Sequence, residues 1–214
     1  MYKIRKEPVI KELFDGAKKF QKKKFRKDEP LYRKLSKKQE PPSLFITCSD
    51  SRVNPYLITG ASPGDLFVIR NIANIVPLYG QSSDFPSTSS SIEYAVNVLK
   101  VKNIVICGHS DCGGCKALFL ENFKELPYTK KWLKLLSPLK SKFKELNKKK
   151  DYPKNSKKVE QENIILQIEN LLTYPFINEK YRKNNISIYG WYYDIGRGLI
   201  YNYDKNNSTF NKIE

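Results

Sequence analysis

The side chains best suited to chemistry in this sequence are its one histidine and its four cysteines. His109 is the only imidazole in 214 residues, so any proton transfer or metal binding that needs an imidazole must use it. Cys112 follows three residues later, and Cys48 lies about sixty residues upstream. Two thiolates and one imidazole are ligands that zinc takes in proteins. The sequence therefore predicts a zinc site that is built from two separate segments.

A structural zinc ion held by all four cysteines is the alternative. Cys112 and Cys115 form a Cys-x-x-Cys pair, but such a site would leave His109 unused, and Cys107 lies within an apolar strand pattern. We therefore expect Cys107 and Cys115 to be buried thiols that bind no metal. Three protein ligands leave a fourth position for water, which is typical of catalytic rather than structural zinc.

Two predicted strands must bring the two segments together. Val101 and the apolar, β-branched run Ile104–Cys107, which ends at Gly108, predict a buried parallel strand, with a helix that begins near Lys116. Leu44–Ile46 predicts a second short strand, which ends before the polar residues 47–52. Open α/β sheets place their sites at the carboxyl ends of such strands. If the two strands are neighbours, Cys48 lies beside His109 and Cys112.

The remaining patterns complete an α/β fold with a central, mainly parallel sheet flanked by helices. Apolar residues at helical spacing predict an N-terminal helical extension over residues 5–29. Residues 186–193 alternate as a strand, and Gly196-Arg197-Gly198 predicts a turn into an antiparallel edge hairpin. Further elements are predicted at 66–69 (strand), 89–99 (helix), 128–150 (a helix or helix pair) and 159–172 (helix).

The formal charge of +17 favours nucleic acid or an acidic surface as a partner, but the lysine pattern does not. Most lysines lie in residues 3–38 and 130–158, where they alternate with apolar residues at helical spacing, as on solvated helix faces. No helix-turn-helix, cysteine-rich finger or aromatic RNA-binding motif accompanies them. We expect no nucleic-acid partner; a non-catalytic basic zinc protein that binds nucleic acid remains the alternative.

The sequence also predicts a cytoplasmic protein without a membrane partner. Residues 1–24 contain charges throughout and lack the apolar segment of a signal peptide. No apolar run approaches the roughly 18 residues of a membrane span. Four reduced thiols are therefore expected, and 214 residues suit one domain.

Two segments together resemble the signature segments of the β-class carbonic anhydrases. They are Cys48-Ser-Asp-Ser-Arg-Val53 and His109-Ser-Asp-Cys-Gly-Gly114, and the resemblance extends over roughly residues 30–205. It implies one Zn²⁺ per subunit and reversible hydration of CO2 to bicarbonate and a proton. Hydrolysis of COS or CS2 at the same zinc site is an enzymatic alternative.

The resemblance implies that Asp50 and Arg52 are catalytic. Arg52 would keep Asp50 ionised, so that the carboxylate accepts the proton of zinc-bound hydroxide and orients it towards CO2. A pair that only braces the loop is the alternative. Relatives whose aspartate closes the site by binding zinc have glycine and tryptophan where this chain has Thr47 and Phe45. The resemblance therefore favours the plant-type subgroup with an open site.

The resemblance also implies substrate-binding residues and an oligomer. The substrate-binding candidates are Gln39, Phe67, Ile72, Tyr94 and Gly113. Residues 1–214 would form a single domain, in which the helical arm 1–38 packs on a partner subunit. A homodimer or homotetramer is expected, with the active site at the subunit interface and Gln39 projecting into the site of the partner.

Overall fold

The structure is a computed structural model that describes residues 10–119, 125–146 and 152–214, apart from the side chains of Ser82, Ser83 and Leu146. The chain divides into two compact units, residues 1–39 and 40–214. In the described part of the chain, no helix has both the length and the apolar character needed to cross a membrane.

The N-terminal unit is helical, as predicted. Helix α1 (Ile10–Lys19) continues through a π-helical turn, Phe20–Lys24, into α2 (Phe25–Lys27), and α3 (Glu29–Leu35) follows. The predicted helix over 5–29 is thus confirmed from residue 10 onward, whereas residues 5–9 lie outside the described ranges. A new helix begins after Asp28. Pro30 lies in its first turn, where the missing N–H of proline costs no hydrogen bond.

The main unit is organised around a mixed sheet, which has six strands among the described residues. Its order is β2-β1-β3-β4-β5-β6, in which β2, β1, β3 and β4 are parallel and β5 and β6 are antiparallel additions. The predicted fold class and edge hairpin are confirmed. The strands are β1 (Ser43–Cys48), β2 (Leu66–Asn71), β3 (Asn103–His109), β4 (Ser187–Asp194), β5 (Leu199–Asp204) and β6 (Thr209–Lys212).

Strand β6 was not predicted from the sequence. Its four residues include one partly buried hydrophobic side chain, Phe210, so they show too short an alternation to indicate a strand. Two tertiary contacts stabilise this strand, namely its pairing with β5 and the packing of Phe210 on the core.

Helices cover the sheet and connect its strands. The predicted segment 128–150 is a pair of helices linked by a 3₁₀ turn, because Pro138 can begin a helix but cannot continue one; residues 147–150 lie outside the described ranges. The helices are α4 (Pro55–Thr59), α5 (Pro86–Glu93), α6 (Gly113–Ala117), α7 (Pro127–Leu133), α8 (Ser137–Lys142), α9 (Tyr152–Leu172) and α10 (Pro175–Arg182).

Strand β1 contributes to the core on both faces because neighbouring side chains point in opposite directions. Leu44 and Ile46 join a large cluster that includes Ile164 of α9, whereas Phe45 packs with Val105 and Cys107. Five of the six β1 residues are buried. Burial on both faces explains why this strand has a continuous apolar run, as parallel central strands do.

Helix α9 has a second buried stripe that is polar. Asn163 donates to the carbonyl of Ala73 at 3.0 Å, and Gln167 accepts from the N–H of Val76 at 2.8 Å. Asn170 donates to the carbonyl of Val76 at 2.9 Å. These bonds hold loop 73–76, whose Ala73 has a φ of +62° that is unfavourable for a side chain with a Cβ.

Loop 73–76 also limits the size of the residue at position 114 in α6. A Cβ on Gly114 would lie 2.7 Å from the Cβ of Ala73 and 3.0 Å from Ile72 Cγ2. We expect Gly114→Ala to lower the free energy of unfolding by about 1–3 kcal/mol, because the loop cannot move without breaking its bonds to α9. Urea unfolding at fixed protein concentration measures this change.

The neighbouring glycine provides the control for this substitution. A Cβ on Gly113 would meet no atom within 4 Å, so Gly113→Ala should leave the urea midpoint nearly unchanged. Equal midpoints for the two variants would contradict the packing argument.

Candidate metal centre

The predicted metal ligands lie at the carboxyl ends of two adjacent strands. Cys48 is the last residue of β1 and His109 is the last residue of β3, and these strands pair in parallel. Cys112 lies in the loop between β3 and α6. The ligand atoms of the three residues all lie within 4.8 Å of one another. The prediction that the two strands are neighbours is therefore confirmed.

One nitrogen of His109 is directed to the cluster. Its Nδ1 lies 2.9 Å from the carbonyl oxygen of Ser110 and donates its proton there, which leaves Nε2 as the basic nitrogen. Nε2 is buried and has no hydrogen-bond partner among the described residues. A buried imidazole nitrogen without a partner is unfavourable unless a further group binds it. This nitrogen therefore fits a metal-ligand role.

The two thiols of the cluster also fit a cation. The neighbouring Cys112 thiol and burial raise the pKa of Cys48 to about 12. The pKa of Cys112 is also raised, mainly by the nearby Cys115 thiol and also by burial. Raised pKa values keep both thiols protonated near neutral pH unless a cation binds them. A coordinating metal ion removes the thiol protons and balances the charge of the two thiolates. The donor set of two cysteines and one histidine fits Zn²⁺.

The four-cysteine alternative is not favoured by this geometry. Cys107 and Cys115 are fully buried, as predicted, but neither belongs to the cluster of potential metal ligands in the described part of the chain.

Asp50 and Arg52 form a two-point ion pair beside the cluster. Asp50 Oδ1 accepts from Arg52 Nε at 2.9 Å, and Asp50 Oδ2 accepts from Arg52 Nη2 at 2.8 Å. These hydrogen bonds hold the pKa of the Asp50 carboxyl well below its usual value, so the group is an ionised acceptor. Asp50 Oδ2 is also 3.9 Å from His109 Nε2, which places the carboxylate at the edge of the cluster.

Arg52 is held from a second side by Asp111, a residue that the sequence did not point to. Arg52 Nη1 donates to Asp111 Oδ2 at 3.1 Å, and Nη2 donates to the Asp111 carbonyl at 3.0 Å. Asp111 adopts a φ of +56°, which turns the loop between His109 and Cys112 and exposes its carbonyl to the guanidinium. The loop after β1 and the loop after β3 are thereby joined by one arginine.

Arg70 makes main-chain contacts next to the same loop. Its Nε donates to the carbonyl of Cys48 at 3.2 Å, and its Nη2 donates to the carbonyl of Asp50 at 2.7 Å. These contacts brace the end of β1.

Two of the five predicted substrate residues line one groove of the main unit. Phe67 and Ile72 line a groove of about 510 Å³, and the ring of Tyr94 lies 6.0 Å from that of Phe67. None of the three predicted metal ligands lines this groove. Gly113 begins α6 directly after Cys112, and Gln39 belongs to the N-terminal unit. Substrate binding by these five residues stays a prediction.

Glu160 of α9 is a buried carboxylate that the sequence analysis missed. Its side chain accepts from the N–H of Cys112 at 3.0 Å, and its residue is 1% exposed. Burial raises the pKa of the Glu160 carboxyl, while its hydrogen bonds act in the opposite direction. The available signal was the spacing of Glu160, Asn163, Gln167 and Asn170, which places four polar side chains on one face of the helix.

Comparisons with known proteins agree with this site. Residues 43–200 match the protein-family model described as carbonic anhydrase. A carbonic anhydrase of Helicobacter pylori strain J99 is 42% identical over 208 residues, which cover 95% of this chain and 94% of that protein. The structure of the β-carbonic anhydrase CcaA superimposes with a TM-score of 0.87 at 35% identity, covering 95% of this chain and 99% of that chain. The chain belongs to the β-class carbonic anhydrase family.

Further relatives of this carbonic anhydrase support the same assignment. Carbonic anhydrase 1 of Escherichia coli O157:H7 is 41% identical over 196 residues, covering 91% of this chain and 88% of that protein. A structure reported among two tetrameric β-carbonic anhydrases from Sordaria macrospora has a TM-score of 0.78 at 32% identity, covering 92% of this chain and 97% of that chain. The chain is thus an enzyme with carbonic anhydrase activity and a Cys–His–Cys donor group.

Proposed function

We propose that this carbonic anhydrase hydrates CO2 reversibly to bicarbonate and a proton, with one Zn²⁺ per subunit held by Cys48, His109 and Cys112. The observation that supports this most directly is the meeting of three buried donors at the carboxyl ends of β1 and β3. Zinc in a site with three protein ligands acidifies a water molecule and so supplies a nucleophile near neutral pH.

Asp50 orients the attacking group in this proposal. Its carboxylate is ionised and accepts hydrogen bonds only, so a hydroxyl proton at Oδ2 turns the oxygen lone pairs away from Asp50 and towards CO2. Arg52 fixes the carboxylate through two parallel hydrogen bonds, and Asp111 fixes Arg52 in turn. A positioned acceptor of this kind contributes to the rate without changing its own protonation.

We further propose that the site is open, as in the plant-type subgroup. Both carboxylate oxygens of Asp50 contact Arg52, so the arginine engages the aspartate that would otherwise bind the metal as a fourth ligand. Thr47 and Phe45, which replace the glycine and tryptophan of the closed forms, are both buried in β1. Their side chains share one face of the strand before Cys48, because positions 45 and 47 are two residues apart.

The substrate pocket is proposed to need a second subunit. Phe67 and Ile72 line a groove without metal donors in their own chain, so they are free to form the apolar wall of a neighbouring site that suits CO2. Gln39 would donate its amide to the substrate from the partner. A homodimer or homotetramer supplies such a neighbour, and the relatives from Sordaria macrospora are described as tetrameric.

Removal of zinc tests the proposed function. We expect zinc-loaded enzyme to accelerate CO2 hydration in a stopped-flow assay with a pH indicator, and chelator-treated enzyme to fall to the uncatalysed rate. Added Zn²⁺ should restore the rate, because the three donors remain in place.

The control is the zinc-loaded enzyme assayed with COS and CS2 under the same conditions. Hydration of CO2 without hydrolysis of COS or CS2 would agree with the proposal. Zinc-loaded enzyme that hydrolyses COS or CS2 but does not hydrate CO2 would contradict it, as would a zinc-loaded protein without any of these activities.

A further inference from the structure

A single buried carboxylate connects three elements behind the metal-ligand cluster. Glu160 Oε1 accepts from the N–H of Cys112 at 3.0 Å and from the hydroxyl of Tyr152 at 3.1 Å. Glu160 Oε2 accepts from the hydroxyl of Tyr192 at 3.1 Å. The three donors belong to the loop before α6, to the start of α9 and to β4. All three donors are uncharged groups.

The contact between Glu160 and Cys112 bears on the geometry of the cluster. Cys112 precedes α6 in an extended conformation and follows Asp111, whose φ is +56°. An irregular loop of this kind has no strand or helix partner for the Cys112 N–H, which is buried and needs an acceptor. Glu160 is that acceptor. Its position therefore fixes the main chain from which the Cys112 sulfur reaches the other two donors.

The tyrosines fix Glu160 in turn. Tyr152 and Tyr192 are 3% and 2% exposed, and Glu160 itself is 1% exposed, so none of the three side chains has solvent as an alternative partner. Tyr192 lies on β4, which pairs with β3 up to the register His109↔Tyr193. The carboxylate thus ties the Cys112 loop to the strand next to the one that ends in His109.

We propose that Glu160 is a positioning residue of the metal centre, which sets the Cys112 main chain and thereby the retention of zinc. This inference rests on the proposed zinc site. Glu160 acts through the length of its side chain, which brings an acceptor oxygen to the Cys112 N–H. The charge of the side chain is not required. Partners that orient metal ligands typically alter metal affinity about 10- to 100-fold when they are removed.

Two substitutions separate reach from charge. Glu160→Gln keeps the length and an acceptor oxygen for Cys112, while its amide can donate to the Tyr192 hydroxyl. Glu160→Asp keeps the charge but is one methylene shorter, so its oxygens no longer reach the Cys112 N–H. We expect zinc release from Glu160→Asp to be about 10- to 100-fold faster than from the unaltered enzyme, and release from Glu160→Gln to be nearly unchanged.

The measurement is the rate of zinc transfer from the zinc-loaded enzyme to a chromophoric chelator, below the unfolding temperature of every variant. Gln167→Ala is the matched control, since Gln167 lies two helical turns further along α9 and is also buried and hydrogen-bonded, but to Val76. It should lower thermal stability without accelerating zinc release.

The outcomes distinguish this inference from the proposed function. Equal release rates for Glu160→Asp and Gln167→Ala would overturn the inference, because any loss of buried polar contacts would then suffice. Fast release from Glu160→Gln would overturn it as well, since charge rather than reach would be the cause. Absence of CO2 hydration in unaltered enzyme that holds one zinc per chain would instead overturn the proposed function and leave the release comparison intact.

Discussion

Replacing Asp50 by asparagine is expected to lower the turnover of CO2 hydration by about 100-fold or more, with zinc still bound. The substitution preserves shape but turns one of the two oxygens into an N–H donor. In the Oδ1 position, the amide nitrogen would oppose the Arg52 Nε donor, which now lies 2.9 Å from that oxygen. In the Oδ2 position, it would oppose Arg52 Nη2 at 2.8 Å, and the proposed acceptor for the nucleophile would be lost. Stopped-flow turnover and metal content per chain measure the two quantities separately.

A control aspartate distinguishes catalysis from loop bracing. Asp65 Oδ2 accepts from the N–H of Ser62 at 2.7 Å and so braces the turn before β2. Asp65→Asn should lower stability slightly and leave turnover near that of the unaltered enzyme. If Asp50→Asn likewise lowers stability but retains turnover, the Asp50–Arg52 pair is a brace and the orienting role is wrong.

The carboxyl-end location of the site could be predicted because it depends on local patterns. Leu44–Ile46 and Ile104–Cys107 are continuous apolar runs that end in polar or glycine residues, and buried parallel strands have this pattern. Two such strands in one sheet place Cys48 and His109 at the same edge. The donor cluster then follows from residue type alone, since the chain has one histidine.

The contacts made by the residues that support the site could not be predicted, because their partners are distant in sequence. Asp111 contacts Arg52 across 59 positions, and Glu160 contacts Cys112 across 48. The buried positions of α9 include the polar residues Glu160, Asn163 and Gln167 as well as apolar ones. A polar residue at a buried position is compatible with the fold only when its partner is present, and the partner is a tertiary contact.

A break in one predicted helix could likewise not be predicted from the sequence. The π-helical turn at Tyr94–Val98 lies inside a segment predicted as a regular helix over 89–99. Nothing in the local propensities marks it, because a π-helical turn differs from an α-helix by one inserted residue. At its end, the N–H of Leu99 donates to the carbonyl of Tyr94 at 3.0 Å, and the N–H of Val101, two residues before β3, donates to the carbonyl of Ala95 at 3.1 Å.

Removal of the only imidazole is expected to abolish zinc binding. His109→Ala leaves two thiols at the cluster, and two ligands do not hold zinc in competition with a chelator. We expect less than about a tenth of one zinc per chain after dialysis against a weak chelator, since loss of a direct ligand should cost at least the 10- to 100-fold seen for outer partners. Metal analysis measures this, and circular dichroism reports whether the fold persists.

Cys115→Ala is the crossed control, because the two possible ligand sets assign opposite roles to these residues. In the Cys48–His109–Cys112 site, Cys115 is a buried thiol outside the cluster, so Cys115→Ala should keep one zinc per chain. A four-cysteine site predicts the reverse, with zinc lost from Cys115→Ala and retained by His109→Ala. Retention of zinc by His109→Ala would therefore contradict the assigned ligands and, with them, the open coordination position that CO2 hydration requires.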